Sequence, residues 1–411
     1  MEKMNSFVRV EKHIIKPTDK HFSMLMDFCY MSKNLYNHAN YLVRKEFTDN
    51  DKWLRYGELD KILRADTEYP DYKNMPTAQT AQQILRLLDK NWKSFFKSIK
   101  DWSKNKEKYL GRPKMPKFIK KDGKYLLVLT NQNCKLKDGY ILFPKSFNGF
   151  SVKTKFVERQ DFKLFQQVRI IPHKNRIVIE LIYEIEFVTE KSDNGRYIGI
   201  DIGVDNLATV GNNIGKTAFI INGKPLKSIN QYYNKQISHY REVCKRVNNK
   251  DYSNRMDKLT ENRNAKIDDY LHKASRKIVD YCVENQINTI VIGQNKEWKQ
   301  SSVMSKRVNQ HFVQIPFARL IEMIQYKAQE RGIAVILTEE SYTSGTSFID
   351  NEMPLKENYN KARRIHRGLF KSNNGTLINA DLNGAYQIIK KAFPLKWDRG
   401  CALHPIVVNI A

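Results

Sequence analysis

The sequence is poor in the residues that bind structural zinc or form disulfides. Five cysteines stand among 411 residues, and no two of them form a CxxC pair. Their scattered positions exclude a zinc finger, and their odd number is typical of a protein from a reducing cytoplasm. The five lie at Cys29, Cys134, Cys244, Cys282 and Cys401.

Long apolar runs are also missing. None approaches the ~18 residues that a membrane-spanning helix needs. The first residues, Met1 to Asn5, lack the apolar core of a secretory signal peptide. These two absences predict a cytoplasmic protein without a membrane segment.

Acidic residues are few relative to basic ones. The chain has 71 lysines and arginines against 44 aspartates and glutamates, which gives a formal charge of +27. The hydrophobic fraction of 41% is ordinary for a globular protein, and the length allows two to three domains. A large excess of positive charge points to a polyanion, with nucleic acid as the first interpretation and an anionic membrane surface as the second.

The densest basic segment lies between residues 104 and 124. Pro113 and Pro116 exclude a continuous helix there, so we predict a basic loop suited to a phosphate backbone. A solvated charge run is the alternative interpretation. The basic residues are Lys104, Lys106, Lys108, Arg112, Lys114, Lys117, Lys120, Lys121 and Lys124.

The first half of the chain reads as a β-module interrupted by helices. An alternating pattern predicts a strand over 6–15, and helical spacing dominates 17–103. Apolar β-branched runs return between 125 and 190, and we expect these strands to pair with the first one. The predicted organisation is therefore a β-module formed by 1–16 and 104–190, with a helical domain over 17–103.

The second half, 195–411, shows the order of elements expected of a ribonuclease-H-like α/β fold. A buried strand, Tyr197 to Asp201, is followed by a hairpin and by a helical insertion over about 226–285. A strand ending at Gly293, a helix, a strand over 333–340 and a C-terminal helix complete the order. In such a fold the first, fourth and fifth strands lie side by side.

Carboxylates mark three of these elements. Asp201 lies inside an apolar strand, where a charge is costly unless it is paired or bound to a metal. Glu339 and Glu340 end the later strand, and Asp381 begins the last helix. Carboxylate oxygens from separate elements suit Mg²⁺ or Mn²⁺, and two such ions can stabilise the attacking and leaving oxygens of phosphodiester hydrolysis.

At these motifs the sequence resembles the OrfB/TnpB proteins of bacterial insertion sequences, which are relatives of type V CRISPR effector nucleases. The resemblance rests on Gly199 to Ala208 (GIDIGVDNLA), on Tyr342-Thr-Ser and on Asn379 to Ala385 (NADLNGA). Weaker matches are Gly111 to Phe118 and Asn91 to Phe96. The resemblance implies a RuvC-like nuclease domain, with Asp201 as the first catalytic aspartate and Asp381 as the third acidic residue.

Two departures from this family pattern stand out. The glutamate that usually ends the fourth strand is replaced by Gly293, and the four-cysteine zinc ribbon is absent. Either the protein is a dead nuclease, or a glutamate of the neighbouring strand supplies the missing carboxylate. Adjacent strands lie about 4.8 Å apart and alternate their faces, so one of Glu339 and Glu340 could reach the site. We favour Glu340, with Glu297 as a third option beyond the strand end.

Further basic residues are predicted to contact nucleic acid near the cleft. One strip follows the fourth strand, and another precedes Asp381 and could steer single-stranded DNA. Plain surface loops are the alternative. The residues are Lys299, Lys306, Arg307, Arg363, Arg364, Arg367 and Lys371.

The resemblance implies an RNA-guided DNA endonuclease of the nucleoid. An N-terminal lobe, a wedge-like β-barrel carrying a helical recognition domain, would hold a guide RNA and a short duplex motif that flanks the target DNA. Asp201, Glu340 and Asp381 would bind two Mg²⁺, with Glu339 as the other candidate ligand. Two alternatives remain: a nuclease-dead, RNA-guided repressor, and a transposase or recombinase acting without RNA.

Overall fold

The computed structural model describes residues 6–294, 310, 312–366, 368–394 and 402–410, and the chain divides after Phe187 into two compact units. Within the described residues, no helix combines the length and the hydropathy that crossing a bilayer requires. Four residues predicted to bind nucleic acid, Lys299, Lys306, Arg307 and Arg367, lie outside the described residues. So does the alternative carboxylate Glu297.

Unit 1, up to Phe187, contains three helices between its first two strands. Its elements are β1 (Ser6–Ile15), α1 (Phe22–Asn50), α2 (Tyr56–Ala65), α3 (Ala78–Lys104), β2 (Leu127–Thr130), β3 (Lys135–Lys137), β4 (Tyr140–Leu142), β5 (Ser151–Lys153), β6 (Phe162–Pro172) and β7 (Ile177–Glu186).

The main sheet of unit 1 is antiparallel in the order β1-β7-β6-β2. Strand β1 pairs with β7 over its whole length, which confirms that the first strand joins the later ones. The strand at Tyr140 is an exception to that prediction, because β3, β4 and β5 form a separate small sheet. A tight turn with positive φ at Asp138 and Gly139 folds β4 back onto β3, so this short meander pairs locally.

The helices of unit 1 bury one face each. Thr77 caps α3 by accepting a hydrogen bond from the Thr80 N–H, which fixes where the helix begins. The apolar stripe from Ala81 to Trp92 is buried, and the Trp92 Nε1–H donates to Asn40 Oδ1 of α1 at 3.0 Å. The stripe is therefore core packing.

Unit 2 begins at Val188. Its elements are β8 (Tyr197–Asp201), β9 (Asn206–Asn212), β10 (Phe219–Asn222), α4 (Lys224–Asn248), α5 (Asn254–Glu284), β11 (Thr289–Gly293), α6 (Phe317–Gln329), β12 (Ala334–Thr338), β13 (Arg364–His366), β14 (Leu369–Lys371), β15 (Leu377–Asn379), α7 (Ala380–Ala392) and β16 (Ile406–Val408).

The large sheet of unit 2 has the order β12-β11-β8-β9-β10-β16. Strands β8, β11 and β12 are adjacent and parallel, and β8, β9 and β10 form an antiparallel meander. This confirms that the first, fourth and fifth strands lie side by side. Strand β16, parallel to β10, was not predicted, although the β-branched run Ile406 to Val408 carries the signal.

Helix α7 packs closely against β8. A Cβ atom added at Gly199 would overlap with the Ala385 carbonyl oxygen, and one added at Gly384 would lie 3.0 Å from Asp201 Oδ2. Only residues without side chains allow the helix this close to the strand. The two glycines therefore bring the start of α7, and Asp381 with it, next to the end of β8.

Candidate active site

The carboxyl ends of three parallel strands meet at one edge of the large sheet. The register pairs Ile292 of β11 with Ile200 of β8, and Gly293 of β11 with Thr338 of β12. Asp201 thus ends β8 beside Gly293, and Glu340 follows β12 by two residues. Ligands and active sites of α/β sheets commonly occur at this edge.

A polar cavity of about 290 Å³ lies there. The side chains of Asp201, Glu340 and Asp381 all line it, and Arg364 does as well. The structure therefore brings together Asp201, Asp381 and the favoured glutamate, Glu340, from three separate parts of the sequence. Their role as metal ligands remains a prediction.

Glu340 reaches the cavity across β11. A Cβ atom added at Gly293 would overlap with the Glu340 carboxylate, and it would lie 2.5 Å from Glu340 Cγ and 2.6 Å from Ile388 Cδ1. The Glu340 side chain thus occupies the space over β11 that a side chain at 293 would need. Glycine at 293 is the feature that admits a carboxylate from the neighbouring strand.

Glu339 faces the other way. Its side chain is 65% exposed, lies 3.8 Å from Lys391 Nζ and accepts a hydrogen bond from the Ser341 hydroxyl. It does not contribute to the lining of the cavity. The alternation of side chains at a strand end therefore separates the two glutamates, and Glu340 is the one that faces Asp201.

The Tyr342-Thr-Ser motif fixes the backbone at Glu340. The Thr343 hydroxyl donates to the Glu340 carbonyl oxygen at 2.8 Å, and the Thr343 N–H donates to the same oxygen at 3.2 Å. Tyr342 has a positive φ of 69°, which is uncommon for a bulky residue. The motif thus closes a tight turn that directs Glu340 inward.

Asp381 is held by two neighbours. Asn206 Nδ2 donates to Asp381 Oδ2 at 2.6 Å, and Arg364 Nη2 donates to Asp381 Oδ1 at 3.1 Å. The Asn379 side chain caps α7 by accepting from the Asp381 N–H at 3.1 Å. Asn206 was missed in the sequence reading, although it lies in the motif that follows Asp201.

The other basic residues near the site differ in their surroundings. Arg363, predicted to contact nucleic acid, donates to Glu352 Oε2 at 2.6 Å and is largely buried. Lys371 is exposed on β14. Of these two residues, only Lys371 presents its charge to solvent.

The acidic groups repel one another in this cavity. Burial raises the pKa of Glu340 to about 7. Burial and the carboxylates of Glu340 and Asp381 raise the pKa of Asp201 well above its usual range, while the Arg364 guanidinium lowers it. A divalent cation would offset both desolvation and repulsion, as in other sites that gather carboxylates.

These shifts predict how the stability of the metal-free protein depends on pH. A carboxyl whose pKa is higher in the folded state binds more protons there, so its stabilising contribution falls as pH rises from about 4.5 to about 7. In EDTA, the unfolding temperature of the wild type should therefore fall more between pH 5 and pH 8 than that of Glu340→Gln. Equal slopes in thermal unfolding scans would contradict the assigned pKa.

Two family models match the chain. The family described as OrfB_IS605, "Probable transposase", matches residues 180–299, and the one described as "Cas12f1-like, TNB domain" matches residues 317–388. Asp201 and Gly293 lie within the first match. Glu340 and Asp381 lie within the second.

Two curated proteins are similar in sequence. "CRISPR-associated endodeoxyribonuclease Cas12f2" of Micrarchaeota archaeon (strain CG1_02_47_40) is 30% identical over 237 residues, which cover 53% of this chain and 41% of that protein. "TnpB-like protein ORF457" of Acidianus two-tailed virus is 24% identical over 396 residues, covering 88% of this chain and 82% of that protein. The chain thus spans less than half the length of the first of these relatives.

Two solved protein–nucleic-acid complexes overlap with the chain at low sequence identity. A Cas12f1–sgRNA–target DNA complex gives a TM-score of 0.36 at 14% identity, covering 92% of this chain and 98% of that one. Alicyclobacillus acidoterrestris C2c1 with single-guide RNA gives 0.39 at 9% identity, covering 92% and 70%. Taken together, the two family matches and the two curated relatives show that the chain is similar to OrfB and TnpB-like proteins over the residues that carry the candidate site.

Proposed function

We propose that this protein is an RNA-guided DNA endonuclease of the TnpB type, which hydrolyses phosphodiester bonds at a RuvC-like site with a relocated glutamate. One observation carries the proposal: Asp201, Glu340 and Asp381 line the same cavity at the carboxyl edge of the sheet. The curated relatives support it, because one is named as an endodeoxyribonuclease and the other as TnpB-like.

The donor set fits Mg²⁺ or Mn²⁺, which prefer carboxylate oxygens. Two ions bound by Asp201, Glu340 and Asp381 would stabilise the charge on the attacking and leaving oxygens. Among the described residues, no three His, Cys, Asp or Glu side chains are arranged closely enough to hold a metal ion. Arg364 pairs with Asp381 Oδ1 at 3.1 Å, so binding of an ion at that oxygen would displace this contact.

The residues around the acids would then have distinct tasks. Asn206 would keep hold of Asp381 Oδ2, which leaves Oδ1 for an ion once Arg364 releases it. Thr343 would keep Glu340 over Gly293. Arg364 would exchange its contact with Asp381 for one with the substrate phosphate, because its planar guanidinium can bind either group. A positive side chain at this point would also lower the repulsion between the acids and the phosphate.

Unit 1 would hold the nucleic acid that selects the target. We assign a wedge-like β-barrel to 1–16 and 104–190, a helical recognition domain to 17–103 and the RuvC-like nuclease to 195–411. Guide RNA pairing would supply the sequence readout, while protein contacts would read a short flanking DNA motif. The formal charge of +27 supports a nucleic-acid partner.

A plasmid assay tests the proposal. The protein is co-expressed with the RNA encoded downstream of its gene and incubated in Mg²⁺ with targets that carry randomised flanking motifs. We expect cutting by the wild type, loss of cutting in EDTA and in Glu340→Gln, and rates within about twofold of wild type for Glu339→Gln. Glu339→Gln is the matched control, since it makes the same substitution one residue away, outside the cavity.

Two outcomes would overturn the proposal in different ways. RNA-dependent binding of target DNA without cutting by any variant would make the protein a programmable repressor, with the site inactivated at Gly293. Nicking of supercoiled DNA in the absence of RNA would instead support a transposase or recombinase.

A further inference from the structure

One face of helix α1 is hydrogen-bonded along the basic segment that contains Pro113 and Pro116. The Asn37 side chain makes two bonds to Ile119, donating from Nδ2 to its carbonyl oxygen and accepting from its N–H, both at 2.8 Å. Asn40 Nδ2 donates to the Pro116 carbonyl oxygen at 3.0 Å. These bonds tie the backbone of the segment to the helix at two separated points.

Two cationic residues, one at each end of this row of hydrogen bonds, also bind the backbone of the segment. The buried Lys33 Nζ donates to the Lys121 carbonyl oxygen at 3.0 Å. Arg44 Nη2 donates to the Pro116 carbonyl oxygen at 2.5 Å, and its guanidinium lies 4.7 Å from the Phe118 ring centroid. Positions 33, 37, 40 and 44 share one face of a helix. The segment therefore runs antiparallel to α1 and is attached to it over the length from 115 to 121.

This attachment uses the backbone and leaves the lysines outside. Lys114, Lys117 and Lys120 are exposed, whereas Met115, Pro116 and Ile119 are partly buried. The Cα atoms of lysines three residues apart on an extended chain lie about 10 Å from each other. Among the described residues, no carboxylate forms an ion pair with any of the three. The segment thus presents a row of unneutralised lysines on a backbone that is held in place.

A solvated basic run would not need such a scaffold. Charges on a flexible loop attract a polyanion equally well at long range, but ordering the loop on binding reduces the affinity. Here α1 orders the backbone before any ligand arrives. Fixed charges gain most from a ligand whose own phosphates are fixed, which is the case for base-paired nucleic acid and not for a flexible single strand.

We propose that α1 holds residues 112–121 as a rigid cationic strap that lies along the phosphodiester backbone of a base-paired nucleic acid. The proposal rests on the nucleic-acid partner of the proposed function and names the surface and the form of the ligand. Asn37 acts as a positioning residue, since it sets the strap without contacting the ligand. Lys114, Lys117 and Lys120 make the phosphate contacts.

The test uses the full chain without Mg²⁺, so that cleavage plays no part. Binding is measured by fluorescence anisotropy on a 20-base-pair RNA duplex, the DNA duplex of the same sequence and the two single strands, over a range of salt. The variants are Asn37→Ala and the triple change Lys114→Ala, Lys117→Ala and Lys120→Ala. Asn131→Ala is the control, because its Nδ2 also donates to a backbone carbonyl, that of Phe165, in the same unit.

We expect Asn37→Ala to bind the preferred duplex at least about fivefold more weakly with an unchanged salt slope, since no charge is removed. Trypsin should also cut this variant faster within 112–121. The triple variant should lower the slope of log K against log salt by about 2.7 on DNA, at ~0.9 per lost phosphate contact. Asn131→Ala should match the wild type in every assay. Comparison of the affinities for the RNA and DNA duplexes identifies which of the two the strap prefers.

Three results would overturn the proposed role of the strap. The first is an unchanged salt slope in the triple variant, whose surface substitutions do not endanger folding. The second is wild-type duplex affinity in Asn37→Ala despite faster trypsin cutting, and the third is an equal loss on single strands. Failure of DNA cleavage in the plasmid assay would leave these results intact, so the strap and the nuclease are tested separately.

Discussion

Replacing Asp201 by asparagine should lower the rate of DNA cleavage by ~10³-fold or more and raise the thermal stability of the metal-free protein. The loss follows because metal ions contribute several kcal/mol of charge stabilisation in phosphodiester hydrolysis, and each 1.36 kcal/mol is tenfold in rate. The gain in stability follows because burial and the carboxylates of Glu340 and Asp381 disfavour the ionised form of the Asp201 side chain. Asparagine keeps the shape of the side chain and removes its charge.

The opposite signs of these two effects make the prediction specific. A residue that merely supported the fold would lose stability together with activity. Cleavage rates on a matched target and unfolding temperatures in EDTA measure the two effects. Asp193→Asn is the control, because Asp193 accepts a hydrogen bond from Tyr197 at the opposite end of β8. Wild-type cleavage by Asp201→Asn, or a lower unfolding temperature in EDTA, would contradict the assignment.

Placing glutamate at 293 should abolish cleavage while Glu340 is present and restore part of it when Glu340 is removed. In Gly293→Glu, the new side chain would overlap with the Glu340 carboxylate and with Ile388. A second buried carboxylate there would add repulsion to the overlap, which we expect to cost about 3 kcal/mol or more in stability. The double variant Gly293→Glu with Glu340→Gly exchanges the two residues and returns the acid to the end of the fourth strand.

The exchange can be measured as a double-mutant cycle. Each single variant should cut at ~10⁻³ of the wild-type rate or less, and the double variant should cut at least about tenfold faster than either. Additive losses in the double variant would show that Glu340 does not stand in for a side chain at 293. Gly293→Ala gives an intermediate case, since its methyl group alone would still displace Glu340.

Much of the fold followed from patterns in the sequence. The strand over 6–15 is observed with those bounds, and the order of apolar strands after Tyr197 predicted which strands would be adjacent. These are local signals, because period-two alternation and buried β-branched runs depend on near neighbours. The small sheet of β3, β4 and β5 escaped prediction because three-residue strands carry little pattern.

The residues that surround the acids were harder to find. Asn206 and Thr343 contact the site through side chains that are common in turns and on surfaces, so their residue types alone gave no signal. Arg364, which was predicted to contact nucleic acid, pairs with Asp381 across 17 residues of sequence. Likewise, the attachment of the basic segment to α1 joins residues at least 71 positions apart. Such contacts depend on how distant elements pack.

The sequence by itself determined the charge of the protein, the order of its strands and the three elements that carry its carboxylates, because these features are composition and local periodicity. The tertiary structure alone decided which glutamate faces Asp201. A strand alternates its side chains every residue, so the choice between Glu339 and Glu340 depends on the exact end and twist of β12. The space that admits Glu340 exists only because β11 brings a glycine, Gly293, between the two strands that carry the acids.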